Sequence, residues 1–565
     1  MSNDHPSLQW FGGNPFPTFQ PPQHLDIYDV RGAPFEVQLA VITATGIINR
    51  EQPHIYLVTG NDDLFWLDHV FHAIPQNRVA QTGEAVLFAL LDAYANKRAP
   101  RRACQCRSLH DTDANKGALR GLIIYDPNLP DTINVATTLA GQRDGLVVAP
   151  ELAQTLQEKY QLPLIEDLRV YGWRTRLQAY HWAAQHLLSS AAPRLLAGLN
   201  PQLMAGVRSF LVASRTFVYW LDSGDYLPNF SVGLLSERAL MQQIIRSFPP
   251  GSVHLGWFID ESSGVYFTSR SAMIVLASDF FTNLEVWSAL RPETVQMAPL
   301  SAPITAESDK RYISFTMSEG DNLQYLQHRM LSLWNDTARG RLPVGWTFSP
   351  LALPLIPALA AYYTSTATAN DELVVGPSGA GYMYPSHWPT DQLSTYLQHT
   401  GQMMQNMNMT SFEVTDAGFL RSSGLPLASY INLNGMALSD EACQRAYVQA
   451  LVPYGLRGIL SGSGVLAPRS KFVDGVPLYY NLGLASSVQT AVAMIKGASL
   501  LHLQRPSFVN VYVLAWNMTP SDLLQVMEQL GDEYEAVLPG TLLAMLAHEQ
   551  NRVPESDTSS EEPEE

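Results

Sequence analysis

Four carboxyl groups stand where strands of this chain end. Glu319 and Asp321 lie in Ser318-Glu319-Gly320-Asp321-Asn322, directly after the strand-like run 312–318. Glu413 lies within the strand-like run 411–415, and Asp416 stands at its end. Acid/base work on one bond needs two such groups, one to donate a proton and one to attack or to activate water. Asp321 and Glu413 are the preferred pair, with Glu319 and Asp416 as alternates. Plainer roles stand beside these: Asp321 could cap the helix that follows, and Asp416-Ala417-Gly418 could form a turn. Asp260 and Glu261 come third, because they require the amino-terminal half to reach the same place.

A second group could hold what the carboxyls act on. Gly379-Ala380-Gly381-Tyr382-Met383-Tyr384-Pro385 runs straight into Ser386-His387-Trp388. The glycines allow a turn where a side chain would not fit. Tyr382, Tyr384, His387 and Trp388 are flat groups with polar edges, suited to stacking on a sugar ring and bonding its hydroxyls. Asn322, Trp516 and Asn517 also end or follow strands; Asn517 could bond a sugar hydroxyl or cap the helix near Thr519-Pro520. Such aromatics also serve as core or interface residues.

The elements that must position these groups alternate. Strands are expected at Tyr312–Ser318, Val344–Ser349, Glu372–Gly376, Ser411–Thr415, Ser429–Leu433, Arg457–Ser461, Val509–Trp516 and Glu535–Leu538. Helices are expected at 322–336, 351–366, 390–407, 439–455, 487–503 and 520–530. About eight strands over about 240 residues is the size of a (β/α)-barrel-like domain, here 306–550, with its active site at the strand C-terminal ends. Within three of these strands small polar residues alternate with large apolar ones. Ser314, Thr316 and Ser318, then Gly345, Thr347 and Ser349, then Ser411, Glu413 and Thr415 each share one face. A packed barrel interior is usually aliphatic, so a polar one implies a recessed site.

The amino-terminal region, 1–305, reads as small α/β, Rossmann-like units with boundaries near 115 and 205. Its expected strands are Ile55–Val58, Gly121–Tyr125, Gly145–Val148, Phe210–Ala213 and Val253–Phe258, among helices at 36–49, 84–96, 151–159 and 175–189. Pro299 and Pro303 mark a linker to the second half. Residues 551–565, with six acidic groups and one arginine, read as a disordered acidic tail.

Composition bounds the remaining possibilities. The chain has 565 residues, too many for one core, with 46% hydrophobic and 15% charged residues, an ordinary globular balance. Its net charge of −17 opposes binding to nucleic acid, which needs clustered Lys and Arg. Cys104, Cys106 and Cys443 are too few and ill-spaced for a disulfide framework or a zinc site. No metal or cofactor is expected: His-Glu-x-x-His, Walker and G-x-S-x-G patterns are missing. The chain shows no signal peptide and no apolar run long enough to span a bilayer, so a cytoplasmic protein with no membrane partner is expected. Oligomeric state is left open.

The run Gly379–Pro385 resembles the signature of the GxGYxYP family of putative glycoside hydrolases. Further islands resemble it in the right order: Gly46-Ile47-Ile48-Asn49-Arg50, Gly256-Trp257-Phe258-Ile259-Asp260-Glu261, Ser318–Asn322 and Val513–Asn517. One departure stands out, since the family more often reads Ser-Asp-Gly-Asp-Asn and here the first acid is Glu319. The resemblance implies glycosidic bond cleavage by carboxylate acid/base catalysis, with carbohydrate as the partner. A non-catalytic carbohydrate-binding protein, or a hydrolase or lyase of another bond, are the alternatives.

Overall fold

A computed structural model describes residues 10, 12–94, 119–203, 206–223, 236–292, 295–298, 305–318, 320–416, 436–462, 469–481, 483–501 and 505–552. The expected strand 429–433, Cys104, Cys106, Glu319 and nearly all of the acidic tail lie outside these residues. Among the described residues no helix is long and apolar enough to cross a membrane.

The chain is mixed α/β, built on parallel sheets. Strands β1 (Leu25–Asp29), β2 (Ile55–Val58) and β3 (Gln76–Arg78) form one small sheet in the order β2-β1-β3. A second contains β4 (Gly121–Ile124), β5 (Gly145–Val148) and β6 (Leu164–Asp167) in the order β5-β4-β6. A third contains β7 (Leu195–Gly198), β8 (Phe217–Tyr219), β9 (Val253–Gly256) and β10 (Ile274–Ala277) in the order β10-β9-β7-β8. The segment Phe210–Ala213, expected as a strand, belongs instead to the helix Arg208–Ala213. It is buried on all sides between the helices Phe35–Ile48 and Thr132–Arg143. A short, wholly apolar run has no period by which to tell a buried helix from a buried strand.

Among the described residues the carboxy-terminal half is one sheet of ten strands. They are β11 (Arg311–Ser318), β12 (Val344–Phe348), β13 (Asp371–Val375), β14 (Ser411–Val414), β15 (Gly458–Ser461), β16 (Arg469–Val473), β17 (Val476–Tyr480), β18 (Leu484–Ala485), β19 (Ser507–Leu514) and β20 (Tyr534–Ala536). The order is β16-β17-β15-β14-β13-β12-β11-β19-β18, with β20 on the lower part of β11. Among the described pairs of this sheet only the β16–β17 hairpin is antiparallel. The sheet is a curled half-barrel, and pairing between β16 and β18, which would complete the expected barrel, is not seen among the described residues.

The curl follows from what it encloses. The helix Pro539–Arg552 touches β11, β13, β14, β15, β17 and β19, which one helix can do only inside a concave surface. Leu542, Leu543, Met545 and Leu546 of that helix pack with Tyr312, Leu460, Tyr479 and Tyr512 of the strands. The opposite face of the sheet, with Ile313, Phe315, Met317, Val344, Trp346, Phe412 and Val414, is buried under helices in the main core. Period-two alternation thus separates two interiors.

Polar groups bolt the amino-terminal sheets to one another and to this half. Asn49 and Ser209 both donate to the buried Glu285 carboxylate, at 3.1 and 3.0 Å. The Arg50 guanidinium joins the Asp144 carboxylate and the Gly141 carbonyl. The helical segment after β11 widens to a π turn at Tyr325–Arg329. There Gln327 exchanges two hydrogen bonds with the Thr282 backbone, and Trp66 donates to the Gln327 carbonyl.

Because Leu542 is fully buried in the concave core, Leu542→Ala should destabilise the carboxy-terminal half by about 2–5 kcal/mol. Urea unfolding followed by tryptophan fluorescence measures it; an unchanged midpoint would mean the helix is not a core element.

Candidate functional site

Above the apolar plug the concave face turns polar. Ser314 and Thr316 of β11 donate to Asn510 Oδ1 of β19, at 2.7 and 3.0 Å. Asn510 in turn donates to Asn481 Oδ1 at 2.7 Å. Nearer the strand ends, Ser318 donates to Glu413 Oε1 at 2.5 Å, and Thr347 donates to Glu413 Oε2. Three strands therefore converge on one carboxyl, which is 1% exposed. Burial pushes the Glu413 carboxyl up to about 7, against the pull of the Ser318 and Thr347 hydroxyls. Glu413 consequently holds its proton in mildly acidic solution. The Tyr512 hydroxyl lies close enough to feel its charge.

Asp321 sits three residues beyond Ser318, in the turn after β11. Its side chain makes no capping hydrogen bond to the helix that follows. Burial raises its pKa, and the Gln324 amide opposes the rise. Its charged neighbour is Asp279, which follows β10 in the third amino-terminal sheet and is pushed up to about 6, chiefly by burial and then by Asp321. Asp279 escaped the sequence reading because β10 was not recognised there; the apolar run Ile274–Ala277 ending in Ser278-Asp279 is the signal that marks it. Asn322 is 2% exposed and accepts from the Ala277 N–H at 3.2 Å, tying the two turns together.

Asp416 accepts from both the Ser386 N–H and hydroxyl, at 3.2 and 2.9 Å, and so anchors the segment after the Gly-x-Gly-Tyr-x-Tyr-Pro run. Asp260 caps its own helix through the Ser263 N–H, at 3.0 Å. Glu261 beside it accepts from the Tyr382 hydroxyl at 2.9 Å, so the amino-terminal half reaches the Gly-x-Gly-Tyr-x-Tyr-Pro segment.

The aromatic residues stand differently from an open sugar-stacking rim. Tyr382 exchanges backbone hydrogen bonds with Val275 of β10, at 2.8 and 3.0 Å, and its ring stacks beside Trp257. Gly381 is required there, since a Cβ would come within 2.9 Å of the Val275 carbonyl oxygen. Gly379 has φ +147°, and a Cβ on it would meet the Tyr396 hydroxyl at 2.2 Å. Tyr384 is fully enclosed, its N–H bonded to Ser269 Oγ, and Trp388 packs on Tyr396. A sugar cannot stack on Tyr384 or Trp388 in this arrangement; Tyr384 joins the third amino-terminal unit to the half-barrel, and Trp388 packs within the carboxy-terminal half. The half-buried His387 lies edge-on to Tyr266, and burial holds its imidazole down to about 4, so it is neutral near pH 7. Trp516 is 44% exposed and touches Tyr325, and Asn517 is exposed beside it. The following helix is capped by Thr519 rather than Asn517. A Cβ on Gly320 would lie 3.6 Å from the Tyr382 ring, so that ring stands against the residue before Asp321.

Family models match nearly the whole chain. A GxGYxYP putative glycoside hydrolase C-terminal domain matches residues 309–547. The first, second and third GxGYxYP N-terminal domains match 24–96, 119–191 and 193–289. A crystal structure titled as a putative hydrolase from Bacteroides thetaiotaomicron superposes with a TM-score of 0.76 at 18% identity, covering 97% of this chain and 98% of that one. That likeness establishes a shared fold. A structure titled as a putative polysaccharide deacetylase from Mycobacterium smegmatis gives a TM-score of only 0.31 at 10% identity, over 47% of this chain and 100% of that one, and supports no argument. No curated protein matches this chain.

The Glu413 environment makes a pH prediction. Its folded pKa, about 7, lies above the ordinary value of 4.5, so the folded state binds more protons between those limits. Stability contributed by the neutral acid is complete below about 4.5 and lost as pH rises towards 7. Glu413→Gln mimics the neutral form. Its melting temperature should match the parent's near pH 5 and exceed it above pH 7; a constant difference across pH would contradict the assignment.

Proposed function

This chain belongs to the GxGYxYP family of putative glycoside hydrolases, and we propose that it hydrolyses glycosidic bonds with Glu413 as general acid and Asp321 as the second carboxyl. The observation that carries this reading is the buried Glu413 carboxyl, protonated close to neutrality at the upper end of a polar concave face. A group with that pKa can give a proton to a leaving glycosidic oxygen at neutral pH. After transfer, the Ser318 and Thr347 hydroxyls stabilise the carboxylate that remains. Asp321, in the ionised form, attacks the anomeric carbon or activates water. Carboxyls roughly 5–5.5 Å apart lead to retention and roughly 6.5–9.5 Å to inversion. Glu319, as the neighbouring acid, and Asp416, as the anchor of Ser386, are the alternates. Trp516 and Asn517, exposed after β19, are the groups we assign to sugar contacts, while the enclosed Tyr382 and Asn322 position the Asp321 turn.

The enclosure of Glu413, at 1% exposure, favours one second reading: a carbohydrate-binding protein in which this acid is a structural, neutral hydrogen-bonding group. Purified parent, Asp321→Asn and Glu413→Gln, assayed on aryl glycosides and natural oligosaccharides, separate the two. A glycosidase should lose activity by about 10²–10⁴-fold in each variant while both remain folded. Ligand-induced thermal shifts without turnover, equal in all three proteins, would establish the binder.

A further inference from the structure

Two large rings stand in solvent just past strand ends: Phe280 after β10, 52% exposed, and Trp516 after β19, 44% exposed. The helical segment that follows Asp321 holds both turns. Gln324 Oε1 accepts from the Phe280 N–H at 3.0 Å, and His328 Nε2 donates to the Phe280 carbonyl at 3.1 Å. Arg329 donates to the Ala515 and Met518 carbonyls, at 2.7 and 3.2 Å. The Tyr325 ring lies edge-on to Trp516, with centroids 6.4 Å apart. Residues four apart share one side of a helix. Gln324 and His328 therefore take the turn after β10, and Tyr325 and Arg329, each the next residue along, take the turn after β19. The two turns flank one helical segment, and a helix with its side chains is about 10–12 Å wide.

Phe280 combines a fixed backbone with a free side chain. Both of its backbone polar groups are bonded to the half-barrel, while Phe281 beside it is fully buried against Trp287. Anchoring the backbone and leaving the ring in water forgoes apolar burial that a ligand would restore. A ring already held in place also loses less freedom when a ligand arrives.

The surroundings select the charge of that ligand. Asp321 opens the helical segment, Asp279 precedes Phe280, and Asp62 accepts from His328 at 2.9 Å. The cations of the segment, His328 and Arg329, are turned to Asp62 and to backbone carbonyls. An acidic ligand would meet like charge there, on a chain whose net charge is −17. The apolar face of an uncharged sugar ring suits both aromatic rings, and Asn517, exposed beside Trp516, is left for its hydroxyls.

We propose that Phe280 is a second stacking platform for the carbohydrate that Trp516 contacts, and that this carbohydrate is neutral. The third amino-terminal unit then touches the ligand directly, and the site spans two domains. That role rests on the Asp321 turn being the carbohydrate site proposed above; it holds whether or not a bond is then cleaved.

The test titrates the full chain with neutral gluco-, manno-, galacto- and xylo-oligosaccharides, and with oligogalacturonate as the acidic probe, by calorimetry. Parent, Phe280→Ala, Phe280→Tyr and Trp516→Ala are compared. A neutral probe should bind the parent, bind about tenfold more weakly to Phe280→Ala and to Trp516→Ala, and recover in Phe280→Tyr. Both rings are exposed, so melting temperatures should hold, and two independent sites keep the test open if one variant misfolds. Equal affinity in parent and alanine variants, preference for oligogalacturonate, or no binding of any probe overturns the inference. So does a parent dimer in sedimentation that Phe280→Ala disperses, because a second copy then covers the ring. Binding with the expected losses but no turnover would reject the glycosidase proposal alone. Turnover with KM unchanged in Phe280→Ala would reject this inference alone.

Discussion

A parallel sheet that curls acquires an inside, and the inside has to be filled. Here the filling changes along the strands. Toward their N-terminal ends the helix Pro539–Arg552 supplies Leu542, Leu543, Met545 and Leu546, closing the concavity with apolar side chains. Toward their C-terminal ends Ser314, Thr316, Ser318, Thr347, Glu413 and Asn510 take over, each answered by another polar group. The change gives the half-barrel a closed base and a polar mouth without closing the sheet.

Burial of a carboxyl is not in itself a sign of chemistry, and this molecule contains the control. Glu372 lies on the same concave face and is also pushed to about 7 by burial. It accepts from Ser411 and from the Gly540 N–H at the start of the plugging helix, where the helix dipole favours an acceptor. Glu285 is likewise buried and answered by Asn49 and Ser209 at a domain junction. Both are structural. Glu413 differs by its height on the sheet, at the strand ends where α/β folds place their ligands. Asp321 and Asp279 sit at neighbouring strand ends of two sheets, brought together by the hydrogen bonds of Asn322 and Gln324.

Much of this was legible in the sequence where the period was strict. The alternation in 312–318, 344–349 and 411–415 identified the polar face and put Glu413 on it, because pleating leaves a strand no other choice. The helix at 520–530 was legible from its Thr519 cap and Pro520. The aromatic motif misled for a physical reason. Tyr382, Tyr384 and Trp388 are polar-edged groups that suit a sugar or a packed interior equally, and only the partners that enclose them, Val275 and Ser269 for the tyrosines and Tyr396 for Trp388, show which one claims them. The open sheet and the helix in its concavity were invisible because closure is a long-range property. Asp279 was missed because the apolar run Ile274–Ala277 before it was not recognised as a strand, so its place at a strand end went unread.

The most direct test of the account is a crystal structure of Glu413→Gln grown with a mixed oligosaccharide pool. The account predicts sugar density at the polar mouth, with a glycosidic oxygen against residue 413 and the anomeric carbon facing Asp321. Sugar bound elsewhere on the protein, with the mouth filled by side chains alone, would contradict it.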